Sequence, residues 1–169
     1  MITNHNILYN ANDISFIVKN CAHWMNTMLA KHPDSIICPI MQSSYYFCSH
    51  VFQQLTAEPL VDSFGINFYA EDGTEDGLYM YKGPSVDVYS NKTVFVMDVI
   101  CNTGTTMDTA SRFLKQMGAK NVYTVSLLVR QFSVHKPSWK GFNISDDEVY
   151  GYGMDLGHKY RTLPYIAYK

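Results

Sequence analysis

The chain has 169 residues, 47% of them hydrophobic, and a formal net charge of -2, a size and composition that suit one domain with its own core. The nearly balanced charge excludes the basic surface of a nucleic-acid-binding domain, and no apolar run reaches the ~20 residues that a membrane-spanning helix needs. Because the first residues, MITNHNILYN, also lack the features of a signal peptide, we expect a cytoplasmic protein with neither nucleic acid nor a membrane as partner.

The cysteines and histidines form no recognisable metal-binding pattern. The four cysteines (Cys21, Cys38, Cys48 and Cys101) make no CxxC pair, and three of them lie in apolar stretches. We therefore expect reduced thiols in the core rather than disulfides or a zinc site. The six histidines are scattered, which favours structural or surface roles for them.

The first part of the chain alternates between helical and extended patterns. After a short apolar segment at Ile7–Tyr9, apolar residues recur every three or four positions from Ile14 to Leu29, which predicts an amphipathic helix capped by Asn12 or Asp13. The next patterns predict a buried strand, a second helix and a second strand, in the order Ser35–Met41, Tyr45–Leu55 and Leu60–Tyr69.

An acidic loop follows at Ala70–Gly77, where the sequence AEDGTEDG has two glycines and four acids in eight residues. Such a composition cannot form a packed element. On the residues alone, we favour a solvated hairpin loop between strands Ile66–Tyr69 and Leu78–Lys82, and a lid over a functional site is the alternative.

The stretch from Thr93 to Thr109, TVFVMDVICNTGTTMDT, combines a strand, a polar loop and a helix start. Its apolar, β-branched beginning predicts a strand buried on both faces, which Asp98 interrupts. The small polar residues Asn102–Thr106 then lead into a helix from Met107 to Met117. Backbone N–H groups at such a helix start can bind a phosphate, although a plain helix cap made by the threonine hydroxyls is an equal alternative.

The remainder of the chain completes an α/β pattern. Asn121–Arg130 predicts another buried strand, and Lys136–Phe142 has the composition of a loop. Two later segments predict a short strand and a closing segment, Val149–Asp155 and Leu163–Ile166. We expect a mainly parallel twisted sheet with helices on both faces, in a single domain over residues 1–169 with a small hood from parts of 1–12 and 131–169.

Two segments carry a resemblance to a known family. Val96–Thr106, VMDVICNTGTT, resembles the motif with which type I phosphoribosyltransferases bind 5-phosphoribosyl 1-diphosphate (PRPP), in which two acids, two apolar residues and one small or acidic residue precede T-G-x-T. Val149–Asp155 followed by Tyr160–Tyr165 is similar to the hood of the hypoxanthine-guanine phosphoribosyltransferases. The resemblance covers nearly the whole chain and implies the type I phosphoribosyltransferase fold.

The resemblance implies a reaction in which a purine ring nitrogen displaces diphosphate from PRPP, with Mg²⁺ as cofactor. It assigns catalysis to Asp98 and Asn102, and binding of PRPP and its 5′-phosphate to Asp98, Val99, Asn102, Thr103, Gly104, Thr105 and Thr106. It assigns the diphosphate to Gln42, Ser43 and Arg161, the purine to Ile100, Arg130, Tyr150 and Asp155, the metal to Asp98 and Asp155, and a closing lid to the acidic loop with Phe68 and Tyr69.

This sequence also departs from the family pattern. Val99 stands at the second acid, Asn102 at the aspartate that assists the purine nitrogen, and Gln42 at a basic residue. Two function classes therefore stay open. One is a 6-oxopurine phosphoribosyltransferase of purine salvage. The other is a weak or inactive homologue that binds PRPP or a purine nucleotide in a sensing or regulatory role. The family also implies a homodimer or homotetramer, for which the first helix is a candidate interface.

Overall fold

Two β-sheets and three helices make up the described part of the fold. A computed structural model of the chain describes residues 5–67, 79–82, 88–145 and 147–169. Its elements in chain order are β1 (Asn6–Tyr9), α1 (Ala11–Lys31), β2 (Ser35–Met41), α2 (Tyr45–Phe52), β3 (Leu60–Val61), β4 (Phe64–Asn67), β5 (Tyr79–Lys82), β6 (Thr93–Cys101), α3 (Thr105–Gln116), β7 (Asn121–Arg130), β8 (Trp139–Ile144), β9 (Val149–Tyr150) and β10 (Ile166–Tyr168).

The larger sheet has the strand order β5-β4-β2-β6-β7-β8, with β3 also paired to β2. Its pairs are parallel except for the antiparallel pair of β4 and β5. Strand β6 lies between β2 and β7, where Thr93 is opposite both Ser35 and Asn121. The predicted fold class, a mainly parallel sheet with helices on both faces, is confirmed.

Strand β6 divides the core in two because its side chains alternate between the faces of the sheet. Phe95, Met97 and Val99 pack with α1 and α2. Val94 and Val96 pack with α3 on the other face. This two-sided burial is why the apolar run that precedes Asp98 forms the centre of the sheet. It also directs the end of β6, with its polar loop, to the carboxyl edge of the sheet, where α/β folds bind ligands.

The smaller sheet has the order β1-β10-β9 and is antiparallel. Its strands lie within residues 1–12 and 131–169, the two ranges from which we expected the hood. That residues 1–169 form a single domain with such a hood stays a prediction. Strand β9 is shorter than the predicted strand Val149–Asp155, since Gly151 and Gly153 take φ values of +91° and +97° and turn the chain.

Helix α1 begins three residues before the predicted Ile14. Asn10 is its cap: the Asn10 side chain accepts hydrogen bonds from the backbone N–H groups of Asn12 (2.8 Å) and Asp13 (3.1 Å). The Asp13 carboxylate in turn accepts from the N–H of Asn10 at 2.9 Å, which completes a capping box. The prediction that Asn12 or Asp13 caps this helix is therefore wrong.

Two further predictions are corrected by strand pairing. Trp139–Ile144 is an edge strand rather than a loop, because it pairs in parallel with β7 (Leu128 opposite Phe142). Lys140 and Asn143 on this strand are exposed. The predicted strand Leu60–Tyr69 is divided at Asp62, whose carboxylate accepts hydrogen bonds from the Tyr89 hydroxyl (2.7 Å) and the N–H of Ser63 (2.8 Å). The acidic loop Ala70–Gly77 lies outside the described residues.

The four cysteines are free and buried, as predicted. Among the described residues, no helix combines the length and the apolar composition that crossing a membrane requires.

Candidate active site

The loop between β6 and α3 leaves the start of α3 open to an anion. Gly104 is the N-cap of this helix, at φ +99°, and it has no side chain with which to cap it. The hydroxyls of Thr103 and Thr105 lie 2.9 Å apart, and the Thr105 N–H has a long contact of 3.4 Å to the Thr103 hydroxyl. A simple threonine cap therefore accounts for one N–H at most. The other N–H groups of the first turn, with the helix dipole, remain for a ligand.

Asp98 lies on β6, shortly before this loop, and contacts Ser43 in the segment that follows β2. Its side chain is 6% exposed, and its Oδ1 accepts hydrogen bonds from the Val99 N–H (2.7 Å) and the Ser43 hydroxyl (3.3 Å). Burial raises the pKa of Asp98 to about 7, even though hydrogen bonds from Val99, Ser43 and Ile100 act in the opposite direction. The charged and the neutral form of the Asp98 carboxyl group are therefore both populated near neutral pH.

The segment after β2 is held from two sides. The peptide between Met41 and Gln42 is cis, and the Ser44 hydroxyl donates to the carbonyl of Ile40. Ser43 reaches Asp98 on one side, and on the other its carbonyl lies against Gly153, where an added Cβ would approach the Ser43 oxygen to 2.1 Å. Gln42 is exposed at this point. The predicted diphosphate segment therefore contacts both the end of β6 and the glycine turn after β9.

Arg161 and Asp155 form an ion pair next to this contact. Arg161 Nη2 lies 2.6 Å from Asp155 Oδ1, and Arg161 Nη1 donates to the carbonyl of Gly153 at 2.7 Å. The second Asp155 oxygen accepts from the N–H of His158 at 2.9 Å. About a third of the Arg161 side chain is exposed (34%). Through Gly153, the predicted diphosphate residues Arg161 and Ser43 lie on neighbouring segments.

Arg130 fixes the orientation of Asn102. Its Nε donates to Asn102 Oδ1 at 3.1 Å, while its Nη1 donates to the main-chain carbonyls of Ser145 and of Asp147, the latter at 2.7 Å. Because a guanidinium group can only donate hydrogen bonds, the amide oxygen of Asn102 must face Arg130 and the amide NH₂ must face away from it. Among the described residues, Arg130 Nη2 has no hydrogen-bond acceptor.

Three other residues that were predicted to lie at the site are buried or half-buried: Val99, Ile100 and Tyr150. The Val99 side chain is fully buried in the core, so Val99 takes part only through its main chain. Ile100 is half-buried at the edge of the same core. The Tyr150 ring is 1% exposed, and its hydroxyl pairs with Nδ1 of His5 at 2.9 Å. The main chain of Tyr150 is paired with Ala167 on β10, so the structure gives no support to the predicted contact of Tyr150 with a purine. The predicted lid residues Phe68 and Tyr69 lie outside the described residues.

The sequence interpretation missed one residue at the site. His135, which was expected to be structural or on the surface, packs against Gly104. It lies in a polar loop without periodicity, and no local pattern connects it to a glycine 31 positions earlier.

Comparison with known proteins identifies the family. The model of the phosphoribosyl transferase domain matches residues 5–161. The chain therefore belongs to the phosphoribosyltransferase family, as its motif predicts.

Individual relatives agree with this assignment. The chain is 31% identical to hypoxanthine-guanine phosphoribosyltransferase of Homo sapiens over 110 residues, which cover 63% of this chain and 50% of that protein. It is 26% identical over 158 residues to phosphoribosyltransferase domain-containing protein 1 of Xenopus laevis, with 86% and 70% covered. The chain thus spans about half the length of the curated hypoxanthine-guanine relatives that it matches.

Solved structures show the same fold. The crystal structure of a hypoxanthine phosphoribosyltransferase from Staphylococcus aureus has a TM-score of 0.86 to this chain, at 23% identity, with 96% of this chain and 90% of that chain covered. A hypoxanthine-guanine-xanthine phosphoribosyltransferase has a TM-score of 0.85 at 19% identity, with 99% and 98% covered.

Proposed function

We propose that this protein transfers the 5-phosphoribosyl group from PRPP to a ring nitrogen of a 6-oxopurine, hypoxanthine or guanine, with release of diphosphate. The observation that carries this proposal is the placement of two candidate anion sites around one buried carboxyl group. The open helix start at Asn102–Thr106 lies on one side of Asp98, and Ser43 with the Gly153 turn lies on the other. PRPP likewise carries a phosphate and a diphosphate on opposite ends of a ribose.

In this proposal each end of PRPP has its own segment. The N–H groups and hydroxyls of Thr103–Thr106 bind the 5′-phosphate, helped by the dipole of α3. Gln42, Ser43 and Arg161 bind the diphosphate, for which Arg161 supplies the positive charge. Asp98 orients the ribose hydroxyls from below. Such positioning and charge stabilisation are the main sources of rate when the reacting carbon gains positive character.

The purine would lie between Ile100 and the segment that contains Arg130. A guanidinium donor favours an oxygen at the purine 6-position over an amino group, because arginine has no acceptor to offer. Arg130 Nη2, which has no acceptor among the described residues, is the candidate donor. Asn102 cannot accept a proton, so the proton of the purine nitrogen passes to water and we expect a slow chemical step.

Mg²⁺ fits this site as a partner of the substrate. It takes oxygen ligands and is usually held by one or two carboxylates together with substrate phosphates. No group of three His, Cys, Asp or Glu side chains that could hold a metal exists among the described residues. Asp155 has 29% of its side chain exposed, whereas Asp98 is buried with a raised pKa and is the poorer of the two predicted ligands. We therefore assign Mg²⁺ mainly to Asp155, where it would neutralise the diphosphate.

The remaining expectations concern the setting of the protein. We propose a cytoplasmic homodimer or homotetramer that takes PRPP and a purine as partners. Phe16 on α1 is 66% exposed and is available for such an interface. Trp24 on the same helix packs edge-on against Phe95 at 6.1 Å between ring centres, so a buried helix face explains Trp24 without an interface.

The activity is tested by incubating the protein with PRPP, Mg²⁺ and one of four bases: hypoxanthine, guanine, xanthine or adenine. Diphosphate and nucleoside monophosphate are measured. We expect turnover with a 6-oxopurine and none with adenine. If no base reacts although a nucleoside monophosphate binds, the proposed activity is wrong and the non-catalytic alternative replaces it.

The role of Asn102 gives a second prediction. Asn102→Asp places a proton acceptor beside the purine nitrogen, in reach of the same Arg130 donor, and we expect kcat to rise by at least about tenfold. The control is Asn91→Asp, the same change of charge on an exposed turn at the other end of the sheet. An unchanged or lower kcat in Asn102→Asp would show that a missing proton acceptor does not limit the reaction.

A further inference from the structure

The loop of residues 131–138 packs against the candidate phosphate loop through one histidine. Only 14% of the His135 side chain is exposed, and both ring nitrogens have partners. Nδ1 lies 2.5 Å from Asp108 Oδ1, and Nε2 lies 2.9 Å from the Thr124 hydroxyl. Because a carboxylate only accepts, Nδ1 carries the proton of the first contact. His135 therefore connects the first turn of α3 to the buried Thr124 on β7.

His135 also sets the position of the glycine at the helix start. A Cβ added to Gly104 would lie 2.2 Å from the Cβ of His135 and 3.2 Å from its backbone nitrogen. Gly104 at φ +99° is thus in close contact with the loop behind it. This contact is made by the Cβ and backbone of His135, and the ring holds that backbone in place through Asp108 and Thr124.

The backbone of His135 is itself anchored. The Ser133 hydroxyl donates to the carbonyl of His135 at 3.2 Å, and it lies 3.3 Å from the thiol of Cys101 at the end of β6. Both Ser133 and Cys101 are buried. The histidine is therefore held on a loop that is tied to the same strand end from which the phosphate loop departs.

Charge gives His135 a second effect on the loop. Asp108 lies in the first turn of α3, on the helix whose start would receive a phosphate. An unpaired carboxylate there would repel that phosphate. The hydrogen bond from His135 gives the Asp108 carboxylate a partner and fixes it toward the 131–138 loop.

We propose that His135 is a positioning residue, which holds Gly104 and the first turn of α3 in the geometry that binds the 5′-phosphate of PRPP. This inference rests on the proposed function for the nature of the ligand, but the contacts among His135, Asp108, Thr124 and Gly104 do not depend on it. His135 does not act on the reacting atoms. Its loss weakens phosphate binding and leaves the chemical step nearly unchanged.

The test compares His135→Ala with His23→Ala, which removes an exposed histidine on α1. We expect His135→Ala to raise KM for PRPP by about tenfold or more, as for the loss of a charge-assisted hydrogen bond, with little change in kcat. His135→Asn keeps a donor for Asp108 and should restore part of the affinity. It also serves as the measurable variant if His135→Ala does not fold. An unchanged KM, or a loss confined to kcat, would overturn the proposal.

Hydrogen exchange provides a readout that needs no ligand. The Asp108 amide, which donates to the carbonyl of Gly104 at 2.9 Å, should exchange faster in His135→Ala than in His23→Ala, while the amides in the centre of β6 should not change. Equal exchange at Asp108 would overturn the positioning role. If the unmodified protein neither reacts nor binds inosine monophosphate, the proposed function fails, and the exchange result still decides whether His135 positions the loop.

Discussion

At the scale of single residues, Asp98 is the group whose chemistry depends most on burial. Two hydrogen bonds to one carboxylate oxygen favour the charged form, but removal from water opposes it more strongly and the pKa rises to about 7. A carboxyl group in this state can exchange a proton near neutral pH. It also connects two segments that would bind opposite ends of PRPP.

This raised pKa predicts a pH dependence of stability. An unfolded aspartate has a pKa near 3.9, so between about pH 4 and pH 7 the folded protein binds more protons than the unfolded chain. The free energy of unfolding should therefore fall as the pH rises through this window, by roughly 2 to 4 kcal/mol from this group alone. Asp98→Asn should remove that part of the slope. Denaturant unfolding at pH 5 and pH 8 measures it.

The control for this prediction is Asp34→Asn, because Asp34 is 88% exposed and pairs with Lys92 at 3.7 Å on the surface. We expect this variant to keep the slope of the unmodified protein. Equal slopes in Asp98→Asn and the unmodified protein would mean that Asp98 ionises normally in the folded state.

At the scale of elements, the turn after β9 determines how closely the smaller sheet approaches the segment after β2. Gly153 takes a left-handed conformation and contacts the Ser43 carbonyl, and Gly151 makes a similar approach to the carbonyl of Tyr165. A hydrogen bond of 2.7 Å between Nδ1 of His50 and the hydroxyl of Tyr152 connects the same turn to α2. The turn thus contacts the segment after β2, whose Ser43 donates a hydrogen bond to Asp98.

Gly153→Ala should therefore destabilise the protein and displace Ser43 in the segment after β2. We expect a loss of about 3 kcal/mol, the sum of left-handed strain and of a backbone shift away from Ser43. Gly157→Ala is the matched control, since Gly157 has φ +59° but nothing within 4 Å of an added Cβ. That variant should lose about 1 kcal/mol from strain alone. Thermal unfolding of the two variants measures both losses in the free energy of unfolding. Equal losses would contradict a close contact at Gly153.

The elements differ in how well their sequences predict them. Strands β2 and β7 begin and end at the predicted residues, because each is a continuous apolar run buried on both faces and bounded by turn residues. Strand β8 was missed, since an edge strand in which Lys140 and Asn143 are exposed has neither an apolar run nor clear alternation. Its pairing with β7, not its own composition, makes it a strand.

At the scale of the whole molecule, the site forms where loops from separate parts of the chain meet at one edge of the larger sheet. The motif in β6 and the tail from Val149 were enough to predict the family and the fold class, and they supplied candidate site residues whose roles stay predictions. The contacts that join these residues could not be predicted in the same way. Ser43 with Asp98, Gly153 with Ser43, and His135 with Gly104 are each set by tertiary packing between segments that are distant in the sequence.

The central claim is that the loop Asn102–Thr106 binds the 5′-phosphate of a phosphoribosyl group. The most direct measurement is calorimetric titration of the protein with inosine monophosphate and, separately, with inosine, which lacks only the phosphate. Two or more charge-assisted hydrogen bonds to phosphate predict that the monophosphate binds at least about a hundredfold more tightly. Equal affinities for the two ligands, or binding of inosine alone, would contradict the account.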